Sequence, residues 1–383
     1  MPLRANVNPA LLVWARERAH LEVEDLIARF PKLPEWELGD RQPTFKQLEG
    51  FARATHAPIG FLLLAAPPEE PLPIPDYRTM QGNAVARPSA DLLDTIFQTE
   101  QRQDWYRDFA VSEGLDRLEF VGSLTTATDV IVAAATIIGM LGFGVNDRGA
   151  NVGEARRLLI ERTEELGVLV MVNGVVGSNT YRPLDPEEFR GFALVDPYAP
   201  VVFVNGADTL NAQMFTLAHE LAHVWIGEPG LSDVTARSRP AAQVERWCNA
   251  VAAEMLVPLA TIRNEYRAQQ PLTNELERLG RRFRVSTLVI LRRIADAGYM
   301  NREAFFRAYD EERERIQEIL ANRETSRSGN FFNTQPVRVS KRFARALIAS
   351  TLEGETLRRD ALQMLGFKKL STLDELANRL GVS

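Results

Sequence analysis

The sequence predicts a mainly helical α+β fold with a small β-sheet. Most of the chain repeats its apolar residues at helical spacing, while short β-branched runs at Val168–Val172, Phe192–Val195 and Val201–Val204 supply strands. Strands placed this way make a small sheet beside a helix rather than a doubly wound one. At 383 residues the chain has room for two or three domains with real cores. Its formal net charge of −6 carries no global basic field of the kind that advertises nucleic acid. The one cysteine, Cys248, excludes an internal disulfide, fits a reducing cytoplasm and reads as a small buried residue. No basic-then-apolar leader opens the sequence, and the longest apolar stretch, Val130–Phe143, is too short to span a bilayer. A cytoplasmic protein with no membrane partner is the expectation.

Residues 1–66 read as a domain of short helices: Pro9–His20, Val23–Phe30, Leu33–Leu38, Thr44–His56 and a last one through Ile59–Leu64. The run Trp36-Glu37-Leu38-Gly39-Asp40-Arg41-Gln42-Pro43-Thr44 resembles the end of the recognition helix and following turn in phage-repressor-type (Xre) helix-turn-helix domains. The resemblance implies a helix-turn-helix-like domain. Only Pro31–Pro34 stand between Phe30 and Glu35, which shortens the element that would enter a major groove. Eight basic and eight acidic residues between positions 1 and 65 cancel, whereas a reader of phosphates needs a surplus. Protein docking or dimerisation suits this domain as well as DNA does, and a homodimer is a compatible assembly. Residues 67–80 form a Pro-rich linker, extended and exposed.

Residues 81–265 hold the chemistry. A polar helix with Trp105, Tyr106 and Phe109 runs from Ala90 to about Glu113, followed by helical sequence to about Gly167 and then the strands. The run Ala199–Asn205 ends in an Asn-Gly turn that leads into a helix capped by Thr209 or Asn211. That helix buries Phe215, Leu217, Ala218, Leu221, Ala222 and Trp225, and Gly227 with Pro229 behind it stops it. It carries His219-Glu220-Leu221-Ala222-His223. Positions i and i+4 share a helix face, so the two imidazoles can grip one metal ion. Glu220 points to the side, where a base can hold an activated water. Half of the chain's 4 histidines sit in this run.

A catalytic zinc usually takes three protein ligands. The other histidines, His20 and His56, lie far upstream, so the third ligand is a carboxylate. Glu245, in an early turn of a helix spanning Ala241–Leu256, is favoured; Glu254 on the same helix and Asp233 in the intervening loop are the alternatives. Tyr181, Arg182, Arg237 and Tyr266 stand open as the group that would steady an oxyanion. The strand at 201–204 is expected to offer pairing to an extended substrate backbone.

Met214-Phe215-Thr216-Leu217-Ala218-His219-Glu220-Leu221-Ala222-His223, followed by Glu245-Arg246-Trp247-Cys248-Asn249 and Ala252-Ala253-Glu254-Met255-Leu256-Val257-Pro258, resembles the ImmA/IrrE family of bacterial metallopeptidases. The match is specific from about Glu188 to Pro258 and looser to about residue 300. It implies a zincin-like, gluzincin-type core with Zn2+ as cofactor, His219, His223 and Glu245 as its ligands, and Glu220 as catalytic base. It further implies a protein substrate, a helix-turn-helix repressor or antitoxin-like regulator whose cleavage releases a stress or mobile-element response. The other reading is a DNA-binding transcriptional regulator, or an antitoxin with a cognate toxin, that keeps the zinc fold as a sensor or scaffold. Glu220 discriminates between them, because a scaffold needs ligands but no base.

Residues 266–300 form a second helix-turn-helix-like segment. Leu276, Leu279 and Phe283 line one helix, Arg284-Val285-Ser286 is a turn with a cap, and Thr287–Ile294 is the next helix. Arg278, Arg281, Arg282, Arg284, Arg292 and Arg293 outweigh Glu275 and Glu277, making this the better-charged surface for DNA. The competing reading is a charged hairpin that supports the zinc helices. Residues 301–383 read as a C-terminal helical domain: a charged helix over 302–327, a Gly-Asn turn at Gly329, and a mildly basic tail whose last helix stops at Gly381.

Overall fold

The computed structural model describes residues 4–76, 88–232, 243–321 and 331–382. The chain divides into two compact units, one formed by residues 1–73 and 82–97, the other by 74–81 and 98–383. The turn expected at Gly329 lies outside the described residues. Among those described, no helix is long and apolar enough to cross a membrane.

The first unit contains α1 (Pro9–Arg18), α2 (Val23–Ile27), α3 (Leu33–Glu37), α4 (Phe45–Ala54) and a 3-10 turn at Phe61–Leu63. Helices this short are marginal alone, so their ends are fastened. Asn8 caps α1 by accepting from Ala10 N, and Thr44 exchanges bonds with Gln47 in a capping box at α4. The inner faces meet in a core of Leu11, Trp14, Leu33, Trp36, Leu48 and Phe51. α3 stands where a recognition helix was expected. It is five residues long, has a proline in its first turn, and turns Leu33 and Trp36 inward. The charges around it are paired: Lys32 and Arg41 with Glu35, and Arg16 with Glu37.

α5 (Ala90–Ser112) begins in the first unit and ends in the second. There follow α6 (Val130–Leu141), α7 (Val152–Glu165), β1 (Leu169–Asn173), a hairpin of β2 (Val175–Val176) and β3 (Asn179–Pro183), β4 (Gly191–Leu194), β5 (Val201–Asn205), α8 (Leu210–Ile226), β6 (Gly230–Ser232) and α9 (Gln243–Leu256). The main sheet has the order β1-β5-β4-β6, with β1 and β5 parallel and the other pairs antiparallel. All four strands are buried along their whole length, which is why β1 and β5 read as continuous apolar runs. α8 packs on β4 and β5 and lies against α9.

β5 lies between β1 and β4, so both of its ladders are filled. The expectation that residues 201–204 pair with a substrate backbone is therefore corrected. The sheet's outer strands are β1 and β6, and β6 is a three-residue strand in what the sequence reads as a loop.

α10 (Leu259–Glu265), α11 (Leu272–Phe283) and α12 (Thr287–Asp296) continue the same core. Leu276, Leu279, Phe283, Ile290 and Ile294 share one cluster with Leu217, Leu221, Trp225, Val251 and Met255. Arg284 turns the chain between α11 and α12 in the left-handed region (φ 60°), and Ser286 caps α12 by accepting from Val289 N. The arginine surplus of this segment is largely offset. Arg278 pairs with Glu275, Arg281 with Glu277, Arg282 with Glu265, Arg292 and Arg293 with Asp296, and Arg293 also with Glu254. Asp296 lies within the segment itself; Glu254 and Glu265 come from outside it. These pairs hold a helical hairpin against α9 and α10.

The chain ends in α13 (Arg302–Ala321), α14 (Phe331–Val339), α15 (Lys341–Glu353), α16 (Arg358–Leu365) and α17 (Leu370–Leu380), the last stopped by left-handed Gly381. Buried Glu164 of α7 fastens this tail. Its Oε1 accepts from Ser340 Oγ at 2.6 Å and from Lys341 N at 2.8 Å, at the start of α15. Arg342 Nε donates to the Tyr106 hydroxyl at 2.7 Å, and Arg102 Nε donates to Met364 O at 3.0 Å.

Arg148 secures the far end of α9. It is buried over the Phe143 ring and donates through Nη1 to the carbonyls of Leu256 and Phe283, and through Nη2 to Met255 O at 2.7 Å. Those carbonyls close α9 and α11, where a helix leaves its last C=O groups unpaired. Burial pushes the guanidinium down to about 10, so it stays charged at neutral pH. Arg148→Met strands three buried carbonyls and is expected to cost roughly 3 kcal/mol of stability, read as a fall in Tm. Arg148→Lys, which lacks the fork, recovers only part of the loss.

Candidate metal centre

α8 is capped by Thr209, whose hydroxyl accepts from Ala212 N, and is ended by Gly227 in the left-handed conformation (φ 74°). From Met214 onward only Phe215 keeps appreciable exposure. A helix this enclosed has no solvent face for polar residues. His219, Glu220 and His223 nonetheless sit in it, all fully buried, and Glu245 in the first turn of α9 is 3% exposed.

The side chains converge. His223 Nε2 lies 3.2 Å from His219 Nε2 and 3.0 Å from Glu245 Oε1, and His219 Nε2 lies 3.3 Å from Glu245 Oε2. A backbone contact orients one ring: His223 Nδ1 sits 3.0 Å from Glu228 O, so Nδ1 carries the proton and donates it there, leaving the Nε2 lone pair facing inward. These three residues are the group among those described that could hold a metal ion. A tetrahedral ion with bonds near 2.0 Å would hold its donors about 3.3 Å apart, close to the spacing found. Electrostatics point the same way. Burial disfavours the charged form of His219; burial also opposes the charge on Glu245, but the neighbouring imidazoles outweigh it, and the two sets of groups compete for the protons that an ion would displace. A divalent ion binds imidazole nitrogens without their protons and a carboxylate in its ionised form, so its binding would release any proton the cluster shares.

Glu220 differs from its neighbours. Both of its carboxylate oxygens are buried with no hydrogen-bond partner. Burial first, and the charge of Glu245 second, push its pKa well up; Ser232 is near enough to temper this without completing a bond. Gly191 makes room for it. A Cβ at Gly191 would sit 2.5 Å from Thr216 Cγ2 and 3.2 Å from Glu220 Oε1, so β4 can approach α8 only through glycine. Ser232 on β6 places its Oγ 3.1 Å from His219 Nε2. Neither Gly191 nor Ser232 stands out in the sequence. A glycine opening a buried strand was the one available signal for the first, and nothing marked the second.

Other sequence candidates fall elsewhere. Glu254 is corrected as a ligand: it pairs with Arg293 and accepts from Leu259 N at 3.1 Å, at the opposite end of α9 from Glu245. Asp233 and Arg237 lie outside the described residues. Tyr181 is almost wholly exposed on β3, and Tyr266 packs tilted against Tyr299, with ring centroids 4.8 Å apart. Cys248 is buried, and burial, reinforced by the carboxylates around it, pushes its thiol well above the ordinary range. It packs in the core as a small apolar residue.

The two acids of α9 give opposite expectations. Glu245→Gln should weaken zinc binding by about 100-fold or more in a competition titration. Glu254→Gln should leave zinc affinity unchanged but lower stability by about 2 kcal/mol, because buried Arg293 loses its nearest carboxylate and keeps only Asp296 and the Val257 carbonyl. Equal effects on zinc would dissolve the distinction.

Residues 163–295, from the end of α7 through most of α12, match the family model of the IrrE N-terminal-like domain, peptidase M78. Residues 339–379 match a domain of unknown function, DUF8813. No curated protein matches the chain. The first match encloses the whole His-His-Glu cluster, so this portion of the chain is similar to a metallopeptidase domain of the ImmA/IrrE type.

Proposed function

We propose that this chain is a zinc-dependent endopeptidase in which His219, His223 and Glu245 hold the ion and Glu220 is the catalytic base. The observation that carries the reading is the Glu220 carboxylate, buried next in sequence to the ligand His219 and within the field of Glu245, with neither oxygen bonded. A structural metal site has no need of it, and an apolar helix has every reason to exclude it. Two imidazole nitrogens and one carboxylate oxygen suit zinc, with a fourth position left for chemistry.

When bound, zinc supplies Lewis acidity toward a peptide carbonyl and lowers the pKa of water to about 7. Glu220 accepts the proton from the attacking water at a carboxylate oxygen and returns it to the leaving amine. Burial, with the charge of Glu245 beside it, raises its pKa, which fits a group that takes up a proton and hands it on. The glycine at 191 lets β4 lie close against Thr216 and Glu220 of α8. The match to an IrrE-type domain supports a regulatory protein as substrate, a repressor of the helix-turn-helix class or an antitoxin-like partner, in a stress or mobile-element response.

Glu220→Gln tests the assignment, since it preserves shape and the metal ligands. The variant is expected to keep one zinc per chain and an unchanged Tm. It should cleave a co-expressed repressor-type substrate at least about 100-fold more slowly than the unaltered chain does. If the variant still releases the regulated response at the normal level, the zinc fold serves as a scaffold and the peptidase assignment is wrong.

A further inference from the structure

His219, His223 and Glu245 give an ion three of the four donors that zinc ordinarily takes, and Ser232 stands beside the place where the fourth belongs. Its Oγ lies 3.1 Å from His219 Nε2, the nitrogen that also faces His223 Nε2 at 3.2 Å and Glu245 Oε2 at 3.3 Å. One imidazole nitrogen therefore has three neighbours at nearly equal distance, the spacing that donors around a single ion keep. The hydroxyl is fully buried, and it lies close enough to Glu220 to favour the charged form of that carboxylate. The fourth position of a catalytic zinc is where water is activated, so it must adjoin the base. Ser232 meets both conditions.

The backbone holds the hydroxyl there. β6 pairs with β4 so that Ser232 lies opposite Gly191, and Ser232 O accepts from Arg190 N at 3.2 Å. On the other side of β6, Leu231 N donates to Pro75 O at 2.9 Å, and Asp76 forms an isolated parallel bridge with Leu231. A strand gripped on both sides fixes where Ser232 stands, and the glycine across the ladder keeps room for Glu220 at the same spot. The side chain is the adjustable part. A serine hydroxyl moves between staggered positions by rotation about one bond, so it can withdraw without moving the strand. An uncharged hydroxyl is also a weak oxygen donor, which water or a peptide carbonyl can replace.

We propose that the Ser232 hydroxyl is a fourth protein donor to the metal in the resting centre, and that it rotates away before water or a substrate carbonyl takes its place. The inference rests on the peptidase reading above and adds to it a brake built into the chain. At rest the ion has two imidazoles, a carboxylate and a hydroxyl, a closed set of four like that of a structural zinc. With the hydroxyl turned aside it has three protein donors and an open position, the arrangement that catalysis needs.

Cobalt(II) in place of zinc reports its ligands by absorption. In the cobalt-loaded full-length protein, Ser232→Cys is expected to develop a thiolate-to-cobalt charge-transfer band in the near ultraviolet, which a sulfur that merely packs nearby does not give. The wild type supplies the blank, because its one cysteine, Cys248, is buried in the core. Ser232→Ala leaves the fourth position open. With zinc bound it should take up acetohydroxamate about tenfold more tightly than the wild type, the gain from removing a competitor that holds the position roughly nine-tenths of the time. The alanine arm stands by itself if the cysteine variant does not fold. Absence of the band with cobalt bound, or equal hydroxamate affinity in the wild type and Ser232→Ala with zinc bound, would overturn the serine donor and leave the peptidase reading intact. A wild-type protein that takes up neither metal would overturn both.

Discussion

Two imidazoles and a carboxylate meet at one point inside a buried helix pair, and much of this unit is arranged to keep them there. Burying such groups costs several kcal/mol apiece unless their lone pairs and charges are met. Here they meet one another across the contact between α8 and α9, at separations that suit a common ion. The requirement propagates outward. α9 must present Glu245 at its first turn, so its other end is pinned by Arg148 and by the Glu254–Arg293 pair. β4 must approach Glu220, so position 191 is glycine. The α11–α12 hairpin is what Arg293 stands on, and it shares the core of the two metal helices.

What could be read in the sequence depended on how local each interaction was. The paired histidines are four residues apart on one helix and declare themselves through spacing alone. Glu245 follows on the next helix and needed only the assumption that neighbouring helices pack. Glu254 lies at the far end of α9 bound to Arg293, 39 positions away, and no local pattern announces that partner. The same blindness explains the apparent basic surface at 275–300. Its arginines were counted against two acids, while Glu265, Glu254 and Asp296 also answer them. β6 was invisible because a three-residue strand has no period to detect, and 74–76 read as linker because proline normally argues against pairing.

Charged residues in the second unit act largely as staples. Glu164 takes two donors from the start of α15, Arg102 reaches a carbonyl of α16, and Arg148 gathers three carbonyls from two helices. Each is buried, and each couples segments far apart in sequence, so residues that look like solvated surface in a linear reading become the ties between helices. Hydrogen bonds made by a charged group are stronger than neutral ones, and a buried charge that loses its partner is costly, so these ties are both firm and brittle.

Pairing then separates two kinds of buried charge. Arg148, Glu164, Glu254 and Arg293 each have partners that account for their burial, and removing any of them is a stability experiment. Glu220 is the residue, among those described, with both side-chain oxygens buried and unbonded. No hydrogen bond within the described fold uses this carboxylate, so its burial carries a desolvation cost that no partner offsets. A group retained against that penalty, one residue from a metal-type ligand and beside a glycine that makes room for it, is better explained by a reaction than by the fold.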